Sequence, residues 1–287
     1  MKSMTLERPI LVVGSSVPPR SGGTPSMIAN QLSWIGGRFV FVGQQPTPNE
    51  TKANLHHKWV SCHLPVKRYR RPIILWEILW AVLVSITALR AARRYRCGAM
   101  LLIQYDDSYM AAGWLIAKLA RLPIVLYVAD LWAEPPREEV SPVRRTLSRM
   151  LQRRLMHLAF RVVSSNSGLA RVCQDAYGVP VEVVPNCFMR EVVPLPPTSE
   201  VATTLTIGFC GNIYWHNLGP LRVLSLALHD FPNSQLIVFG SKSGEELRAM
   251  GVSPPRIESR FVPGGVELLG ALSECDLLFL PGAFDAV

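Results

Sequence analysis

Two adjacent glycines, Gly22 and Gly23, have the residue type and position needed to bind a phosphate group. They lie in a loop between a predicted strand at 10–13 and a predicted helix that Thr24 or Ser26 can cap. The strand is an unbroken apolar run, as in a parallel strand buried on both faces. Because glycine has no side chain, backbone amides at such a strand-to-helix crossing can approach a phosphate closely. The segment is typical of a phosphate site and equally of an ordinary strand–loop–helix unit without a ligand.

Two further groups of residues have side chains that metal ions favour. Asp106 and Asp107 follow a predicted strand, and their carboxylates suit a divalent ion, although capping of the next helix explains them equally well. The second group combines histidines with a cysteine at a spacing that fits no common zinc site: His56, His57, Cys62 and His63. We interpret this second group as part of a polar surface loop, and we expect the chain to hold no metal.

These residues must be positioned by strands and helices, which alternate along the whole sequence. Apolar segments predict strands in the first part of the chain near 10–13, 39–42, 99–105, 124–128, 161–164 and 181–184. Helices are predicted between them, near 25–35, 73–95, 109–120, 142–158 and 167–176. This alternation is typical of βαβ units and predicts an α/β fold with parallel sheets.

A proline-rich, aperiodic stretch indicates a boundary between two domains. We expect a first domain at 1–190, a linker at 191–204 and a second domain at 205–287. The second domain repeats the alternation, with strands near 206–210, 235–239, 257–262 and 276–280 and helices near 220–229, 245–250 and 266–273. Because no helix follows the last of these strands before Val287, we expect the second domain to be incomplete.

The composition favours an anionic partner and a reducing compartment. The formal net charge is +9, which suits a nucleotide, a membrane surface or a nucleic acid. Nucleic acid is the weakest of these, because aromatic residues do not alternate with the arginines as base-stacking platforms would require. The six cysteines occur singly, and the N-terminus lacks a signal-peptide pattern, so we expect reduced thiols in a cytoplasmic protein.

The segment at 67–96, KRYRRPIILWEILWAVLVSITALRAARRYR, joins an apolar stretch to arginines at both ends. The stretch is just long enough to span a membrane. Glu77 within it and positive charge on both sides argue against spanning. Two interpretations are therefore favoured over spanning: a helix buried in the first domain, and a helix that docks peripherally at the inner face of an anionic membrane.

The segment at 141–160 predicts a basic amphipathic helix. Its apolar residues share one helical stripe: Val143, Leu147, Met150, Leu151, Leu155 and Leu158. The opposite face carries four arginines: Arg144, Arg145, Arg149 and Arg153. Such a helix is typical of membrane surfaces, and also of an ordinary sheet-covering helix with a solvated charged face.

Five blocks in a fixed order resemble the family 4 glycosyltransferases. The common dinucleotide, P-loop, GxSxG and HExxH motifs do not occur in the chain. The blocks are a strand with a PPRSGG loop and helix at 10–32, a strand–helix–strand ending in Asp-Leu-Trp at 95–132, a block containing Val-Pro-Asn at 162–188, a strand–loop–helix at 205–228, and a strand ending in Leu-Pro at 274–284. Together they cover nearly the whole chain.

The resemblance implies a GT-B architecture, in which two Rossmann-like domains flank a cleft. It also implies transfer of a sugar from a nucleotide diphosphate sugar, with retention of configuration and without a metal or other cofactor. Asp130 matches the family's cleft aspartate, and Gly22 and Gly23 would approach the diphosphate or the acceptor. The donor and its phosphates would be bound from the second domain by Gly211, Asn212, Asn217, Gly240, Val262 and Asp285.

Three positions of the second domain depart from the family pattern, and in the first domain Ala129 stands where the family often has a histidine. Asn212 and Asn217 stand where the family usually carries an arginine and a lysine that hold the diphosphate. Asparagine donates hydrogen bonds but supplies no charge, so it stabilises a leaving diphosphate less. Asp285 stands at the first of two family glutamates, and the second would lie beyond Val287.

The function expected from these features is a retaining glycosyltransferase that makes cell-surface polysaccharide or glycolipid. It would use a nucleotide diphosphate sugar as donor and a lipid-linked or saccharide acceptor at the cytoplasmic membrane face. The alternative is a truncated, catalytically inactive remnant that binds a nucleotide sugar or a protein partner.

Overall fold

A computed structural model describes residues 8–18, 23–46, 59–66, 73–104, 106–129, 142–185, 204–211, 213, 215–262 and 266–280. The chain divides into two compact units, Met1–Met189 and Arg190–Val287. Each unit holds one parallel β-sheet, so the predicted α/β class with parallel sheets is confirmed. Of the expected linker at 191–204, only Thr204 belongs to the described residues.

Unit 1 is built on seven parallel strands: β1 (Ile10–Val13), β2 (Phe39–Gln44), β3 (Trp59–Leu64), β4 (Ala99–Gln104), β5 (Ile124–Val128), β6 (Arg161–Ser164) and β7 (Val181–Val183). Their order in the sheet is β3-β2-β1-β4-β5-β6-β7. Five described helices pack on this sheet: α1 (Gly23–Ile35), α2 (Ile73–Arg94), α3 (Asp107–Ala120), α4 (Pro142–Leu158) and α5 (Ser167–Tyr177). The chain builds outward from β1 through β2 and β3, then returns to add β4 on the other side.

Both faces of this sheet are buried, which explains the unbroken apolar runs of its central strands. Alternate residues of β1 point to opposite sides, so Leu11 and Val13 join one apolar cluster and Val12 joins another. The first cluster receives side chains from α2, α3, α4 and α5, including Val84, Tyr109, Leu155 and Cys173. The second receives Ile28 and Leu32 of α1. Unit 1 is therefore a three-layer α/β structure with α2–α5 on one side.

The strand β3 was not predicted from the sequence. It pairs with β2 in parallel over six residues, and Cys62 and His63 lie within it. The interpretation of this region as a polar surface loop is therefore wrong for Cys62 and His63, whereas His56 and His57 lie outside the described residues. The segment lacks an apolar run because it lies at the edge of the sheet, and its backbone pairing with β2 makes it a strand.

The helix α2 is long and apolar enough to cross a membrane, but it covers the sheet of unit 1. One face is buried against the domain: Glu77, Trp80, Ala81, Val84, Ser85, Ala88, Ala91 and Ala92. The opposite face leaves large apolar side chains exposed, with Ile78 at 55% and Leu79 at 52% of their full accessible surface. Among the interpretations of this segment, complete burial is excluded, because only one face of the helix is covered.

The orientation of α4 differs from the prediction. Its buried residues are Ser148, Gln152, Leu155 and Met156, whereas Val143, Leu147 and Met150 of the predicted apolar stripe are exposed. Arg144, expected on the solvated face, points inward. Its Nε donates to Asp107 of α3 at 3.0 Å, and a terminal nitrogen donates to Glu77 of α2 at 3.4 Å. This ion-pair network and the hydroxyl of Ser148, which also donates to Asp107, set the rotation of the helix.

Unit 2 is smaller and contains four parallel strands in the order β10-β9-β8-β11. They are β8 (Leu205–Cys210), β9 (Ser234–Phe239), β10 (Ile257–Arg260) and β11 (Leu277–Leu278). Three α-helices are described with them: α6 (Trp215–Ala227), α7 (Gly244–Ala249) and α8 (Val266–Ser273). The core combines Ile207, Phe209, Leu236 and Val238 of the sheet with Leu221 of α6 and Leu247 of α7.

Candidate functional site

The order of the strands reverses at β1 in unit 1, and this position is where open α/β sheets bind ligands. The strands on either side of β1 were added in opposite directions, so the connections leaving β1 and β4 diverge and leave a crevice at their carboxyl ends. In this unit the crevice is bordered by Gly14 after β1 and by Gln104 at the end of β4.

Gly14 approaches the neighbouring strand at close range. Its amide donates to the carbonyl of Val42 at 3.2 Å, and the next residue of that strand is Gly43. A Cβ atom on Gly43 would lie 2.7 Å from the Gly14 carbonyl oxygen and 2.5 Å from Cγ2 of Val17. Only glycine therefore fits at Gly43, and its absence of a side chain lets the loop after β1 lie against the end of β2.

Several buried polar residues collect at the carboxyl ends of the unit 1 strands. Each is no more than 9% exposed, and they follow or end β1, β2, β4 and β6: Ser15, Gln44, Gln104, Asp106 and Ser164. Polar side chains are costly to bury without partners, so their concentration at one edge marks it as different from the apolar remainder of the sheet. Sequence reasoning singled out only Asp106 among them, because a lone polar residue after an apolar run carries no distinctive signal.

The aspartate pair after β4 has a structural role in the folded unit. Asp106 is the N-cap of α3, where its side chain accepts a hydrogen bond from the Tyr109 amide at 3.1 Å and another from the Ser108 hydroxyl at 2.7 Å. Asp107 accepts from Arg144 and Ser148. Of the two interpretations, capping accounts for these contacts. Within the described part of the chain, no group of three or more potential ligands is arranged to hold a metal ion.

The residues predicted to line this side of the site are described only in part. Gly23 is the first residue of α1, which follows β1, as expected for a strand–loop–helix unit. Gly22 and Asp130 lie outside the described residues. Asp130 comes directly after Ala129, which follows the end of β5. The chain thus enters the carboxyl edge of the sheet immediately before Asp130.

Unit 2 repeats the arrangement of unit 1 around β8. The strand β8 lies between β9 and β11, so the reversal of strand order occurs there. Gly211 follows β8 with φ +136°, a backbone conformation that residues with a side chain rarely adopt. Its amide donates to the carbonyl of Phe239 at 3.0 Å, and a Cβ on Gly240 would lie 2.8 Å from the Gly211 carbonyl oxygen. Gly211 and Gly240 thus correspond to Gly14 and Gly43.

The predicted donor-binding residues that are described lie at one edge of unit 2. Gly211, Gly240 and Val262 follow three adjacent parallel strands, β8, β9 and β10, at their carboxyl ends. Asn217 is buried in the first turn of α6, which begins after the loop that leaves β8. Asn212 and Asp285 lie outside the described residues. The topology therefore brings together four of the six residues predicted for the second domain.

Several charged side chains near this edge form ion pairs with one another. Ser243 caps α7, and the Glu246 side chain accepts from the Ser243 amide at 2.8 Å and from Lys242 at 3.1 Å. The backbone hydrogen bond from Ser243 and the contact with Lys242 lower the pKa of Glu246. Arg260 pairs with Glu258 and Glu274. Among the residues that the structure describes, the main groups at the ends of β8 and β9 are therefore backbone amides and small residues.

Four cysteines of the described residues are free thiols: Cys62, Cys97, Cys210 and Cys275. Burial raises the pKa of the Cys97 thiol to about 11, and burial also raises the pKa of Cys62. A thiol with a raised pKa is mostly protonated at neutral pH and is a weak nucleophile. The raised pKa values therefore argue against Cys62 and Cys97 as nucleophiles.

No family model and no curated protein sequence matches this chain. Solved structures do match it over almost its whole length. Sucrose-phosphate synthase from Thermosynechococcus elongatus is 12% identical, with a TM-score of 0.65 over 98% of this chain and 77% of that protein. HepE from Anabaena, in complex with UDP and glucose, is 14% identical, with a TM-score of 0.63 over 97% of this chain and 76% of that protein.

A third match comes from E. coli, a trehalose-6-phosphate structure bound with UDP-2-fluoro glucose. It is 14% identical, with a TM-score of 0.57 over 96% of this chain and 79% of that protein. At such low identity the likeness concerns the path of the backbone and the order of the strands. This chain therefore has the GT-B fold, an α/β architecture with a seven-stranded and a four-stranded parallel sheet, the second in the smaller unit.

Proposed function

We propose that this chain is a retaining glycosyltransferase that uses a nucleotide diphosphate sugar as donor. The observation that carries the proposal is the repeated strand-end arrangement, in which Gly14 meets Gly43 and Gly211 meets Gly240 at the reversal point of each sheet. Matching structures that contain UDP or UDP sugars make such a ligand the natural candidate for these sites.

In this proposal the donor binds to unit 2. The diphosphate faces the backbone amides near Gly211 and Asn212, with Asn217 on the first turn of α6, because the N-terminus of a helix stabilises negative charge. Gly240 and Val262 border the nucleotide, and Asp285 contacts the donor sugar. Departure of the nucleoside diphosphate builds up negative charge, which these amides and dipoles oppose.

Unit 1 supplies the acceptor side in the same proposal. Gly22 and Gly23 approach the acceptor or the diphosphate from the start of α1, and Asp130 acts at the reacting carbon or acceptor hydroxyl. The acceptor is a lipid-linked or saccharide molecule, for polysaccharide or glycolipid synthesis. We place the reaction in the cytoplasm, in keeping with the free thiols of the described residues.

A second candidate function is nucleotide-sugar or partner binding without turnover. It is favoured by Asn212 and Asn217, which stand where the family 4 glycosyltransferases, which this sequence resembles, usually carry an arginine and a lysine. Neutral amides stabilise a leaving diphosphate less than cations do. When the ligand is a nucleotide sugar, the two candidates differ in whether the sugar is transferred.

The test is calorimetric binding of UDP and GDP, followed by turnover with UDP-glucose, UDP-N-acetylglucosamine and GDP-mannose. Binding with release of nucleoside diphosphate supports the transferase, and the product anomer distinguishes retention from inversion. Turnover should be unchanged by EDTA, because no metal takes part. Binding without turnover for every donor would establish the second candidate instead.

A charge-restoring variant sharpens this test. Asn212→Arg supplies the missing cation beside the proposed diphosphate and should raise turnover at least about tenfold. The matched control is Asn233→Arg, because Asn233 lies just before β9 at the opposite, amino end of the sheet and is exposed. Equal effects of the two substitutions would show that general charge, and not the proposed site, accounts for the change.

A further inference from the structure

The exposed face of α2 carries a continuous apolar stripe. Leu75, Ile78, Leu79, Val82 and Ile86 are between 42% and 55% exposed. Their spacing of three and four residues places them on one side of the helix, opposite the face that covers the sheet. Solitary exposed apolar residues are common, but a stripe along about three turns of one helix marks an interaction surface.

Among the described residues, the exposed charges of α2 are all positive. The one acidic residue in α2 is Glu77, which is buried on the opposite face and paired with Arg144. Exposed Arg90, Arg93 and Arg94 follow the stripe at the C-terminal end of the helix. An apolar stripe that ends in described cations complements a membrane surface, which has anionic headgroups above an apolar interior.

The exposed face of α4 has the same character. The helices α2, α3 and α4 lie on the same side of the sheet, and Arg144 connects all three, so their outer faces point away from the sheet together. No acidic residue occurs in α4. Its outer face presents three apolar residues, Val143, Leu147 and Met150, and three exposed arginines, Arg149, Arg153 and Arg154.

We propose that this α2/α4 surface, formed by the apolar stripe of α2 and the outer face of α4, docks unit 1 on an anionic lipid bilayer. The apolar side chains enter the boundary between headgroups and acyl chains, and the six arginines contact lipid phosphates. A second copy of the chain fits this surface poorly, because the outer faces of α2 and α4 are rich in arginine and two such faces repel each other.

The mode of docking is interfacial and not transmembrane. Spanning would remove Val84 and Ala88, which are completely buried, from the core of unit 1. It would also move Glu77 away from Arg144 and into the hydrocarbon. The helix therefore stays on the sheet and presents its outer side to the membrane. The inference concerns the surface of unit 1 and holds whether or not the chain transfers sugar.

The experiment is flotation of the full chain with lipid vesicles. Vesicles of phosphatidylcholine with about 30 mol % phosphatidylglycerol should carry the protein at about 0.1 M salt and release much of it at about 0.5 M, because salt screens the arginines. Pure phosphatidylcholine vesicles should bind at least about tenfold more weakly. Equal binding to both compositions, or no binding at low salt, would overturn the proposal.

Two variants test the two parts of the surface. Ile78→Ser with Leu79→Ser should weaken binding at least about tenfold through lost insertion. Arg149→Gln with Arg153→Gln should weaken it about tenfold or more and reduce the salt dependence. The control is Val223→Ser with Leu226→Ser, a pair on α6 that is 67% and 70% exposed and should bind like the unchanged chain. Thermal melting checks that each variant is folded.

Three other outcomes would overturn the proposal. If the chain forms a concentration-dependent dimer that Ile78→Ser with Leu79→Ser abolishes, the stripe is a self-association surface. If bound protein resists extraction by alkaline carbonate, α2 is a spanning helix. If all three variants bind vesicles equally, the membrane contact lies elsewhere. Calorimetry with UDP on the same protein variants measures the nucleotide site independently. Failure of membrane binding can therefore be told apart from failure of the proposed nucleotide binding.

Discussion

At the scale of single residues, the glycines at the strand ends matter through close contact between neighbouring strands. Gly240 lies so near the Gly211 carbonyl that even one added carbon would collide with it, and Gly43 stands in the same relation to Gly14. Gly211 and Gly240 were expected from family resemblance, whereas Gly14 and Gly43 were not expected. The sequence shows each glycine but not its partner, because the partners are far apart along the chain.

Gly240→Ala should therefore destabilise the protein. Its Cβ would lie 2.8 Å from a backbone oxygen that cannot rotate away, so the strand end must shift. We expect a loss of about 1–3 kcal/mol in the free energy of unfolding, measured by chemical denaturation, together with weaker UDP binding.

The control for this substitution is Gly270→Ala. Gly270 lies in α8 with nothing within 4 Å of an added Cβ, so the substitution should stabilise by about 0.5–1 kcal/mol. If both variants were equally stable, the close approach of Gly240 to Gly211 would not be a constraint.

At the scale of elements, the sequence pattern located the described α-helices and every described strand except β3, but it misjudged which way one helix faces. The helix α4 was predicted at 142–158 and occurs at Pro142–Leu158. The side of α4 that faces the domain is nevertheless set by Arg144, which forms ion pairs with Glu77 of α2 and Asp107 of α3. An arginine on a helical wheel is ordinarily assigned to solvent, and the buried carboxylates that reverse this assignment belong to other helices.

Arg144→Ala should destabilise unit 1 by about 2–3 kcal/mol, because it leaves the buried Glu77 and the partly buried Asp107 without their shared cation. Chemical denaturation measures the loss. Arg144→Lys should recover only part of it, since one ammonium group cannot reproduce the fork that reaches both carboxylates.

Arg153→Ala serves as the comparison on the same helix. Arg153 is exposed, so its loss should change the free energy of unfolding by no more than about 0.5 kcal/mol. An Arg144→Ala variant as stable as Arg153→Ala would contradict the role given to the ion-pair network.

At the scale of the whole molecule, the two units are variations on one topology. In each sheet, the first strand along the chain lies in the interior of the sheet. The next two strands are added on one side of it, and the chain then crosses over to add the following strand on the other side. Each carries a glycine at the carboxyl end of that first strand. The alternation of strands and helices predicted two parallel sheets, and the order of the strands within them came only from the structure.

Hydrogen exchange with and without UDP tests where the nucleotide binds in the whole chain. We expect slower exchange in peptides that cover 205–217 and 234–243, because the proposed donor site lies at the ends of β8 and β9. Peptides covering 99–129 of unit 1 should be unaffected. Protection confined to unit 1 would contradict the assignment of the donor to unit 2.

The sequence alone determined the fold class and most of the element boundaries. These follow from local signals: apolar runs, helical periodicity, and prolines and glycines that end elements. The tertiary structure alone decided the pairing of β3 with β2, the inward side of α4, the apolar stripe exposed on α2 and the contact of Gly211 with Gly240. Each of these depends on residues distant in the chain, and no local pattern records which distant residues become neighbours.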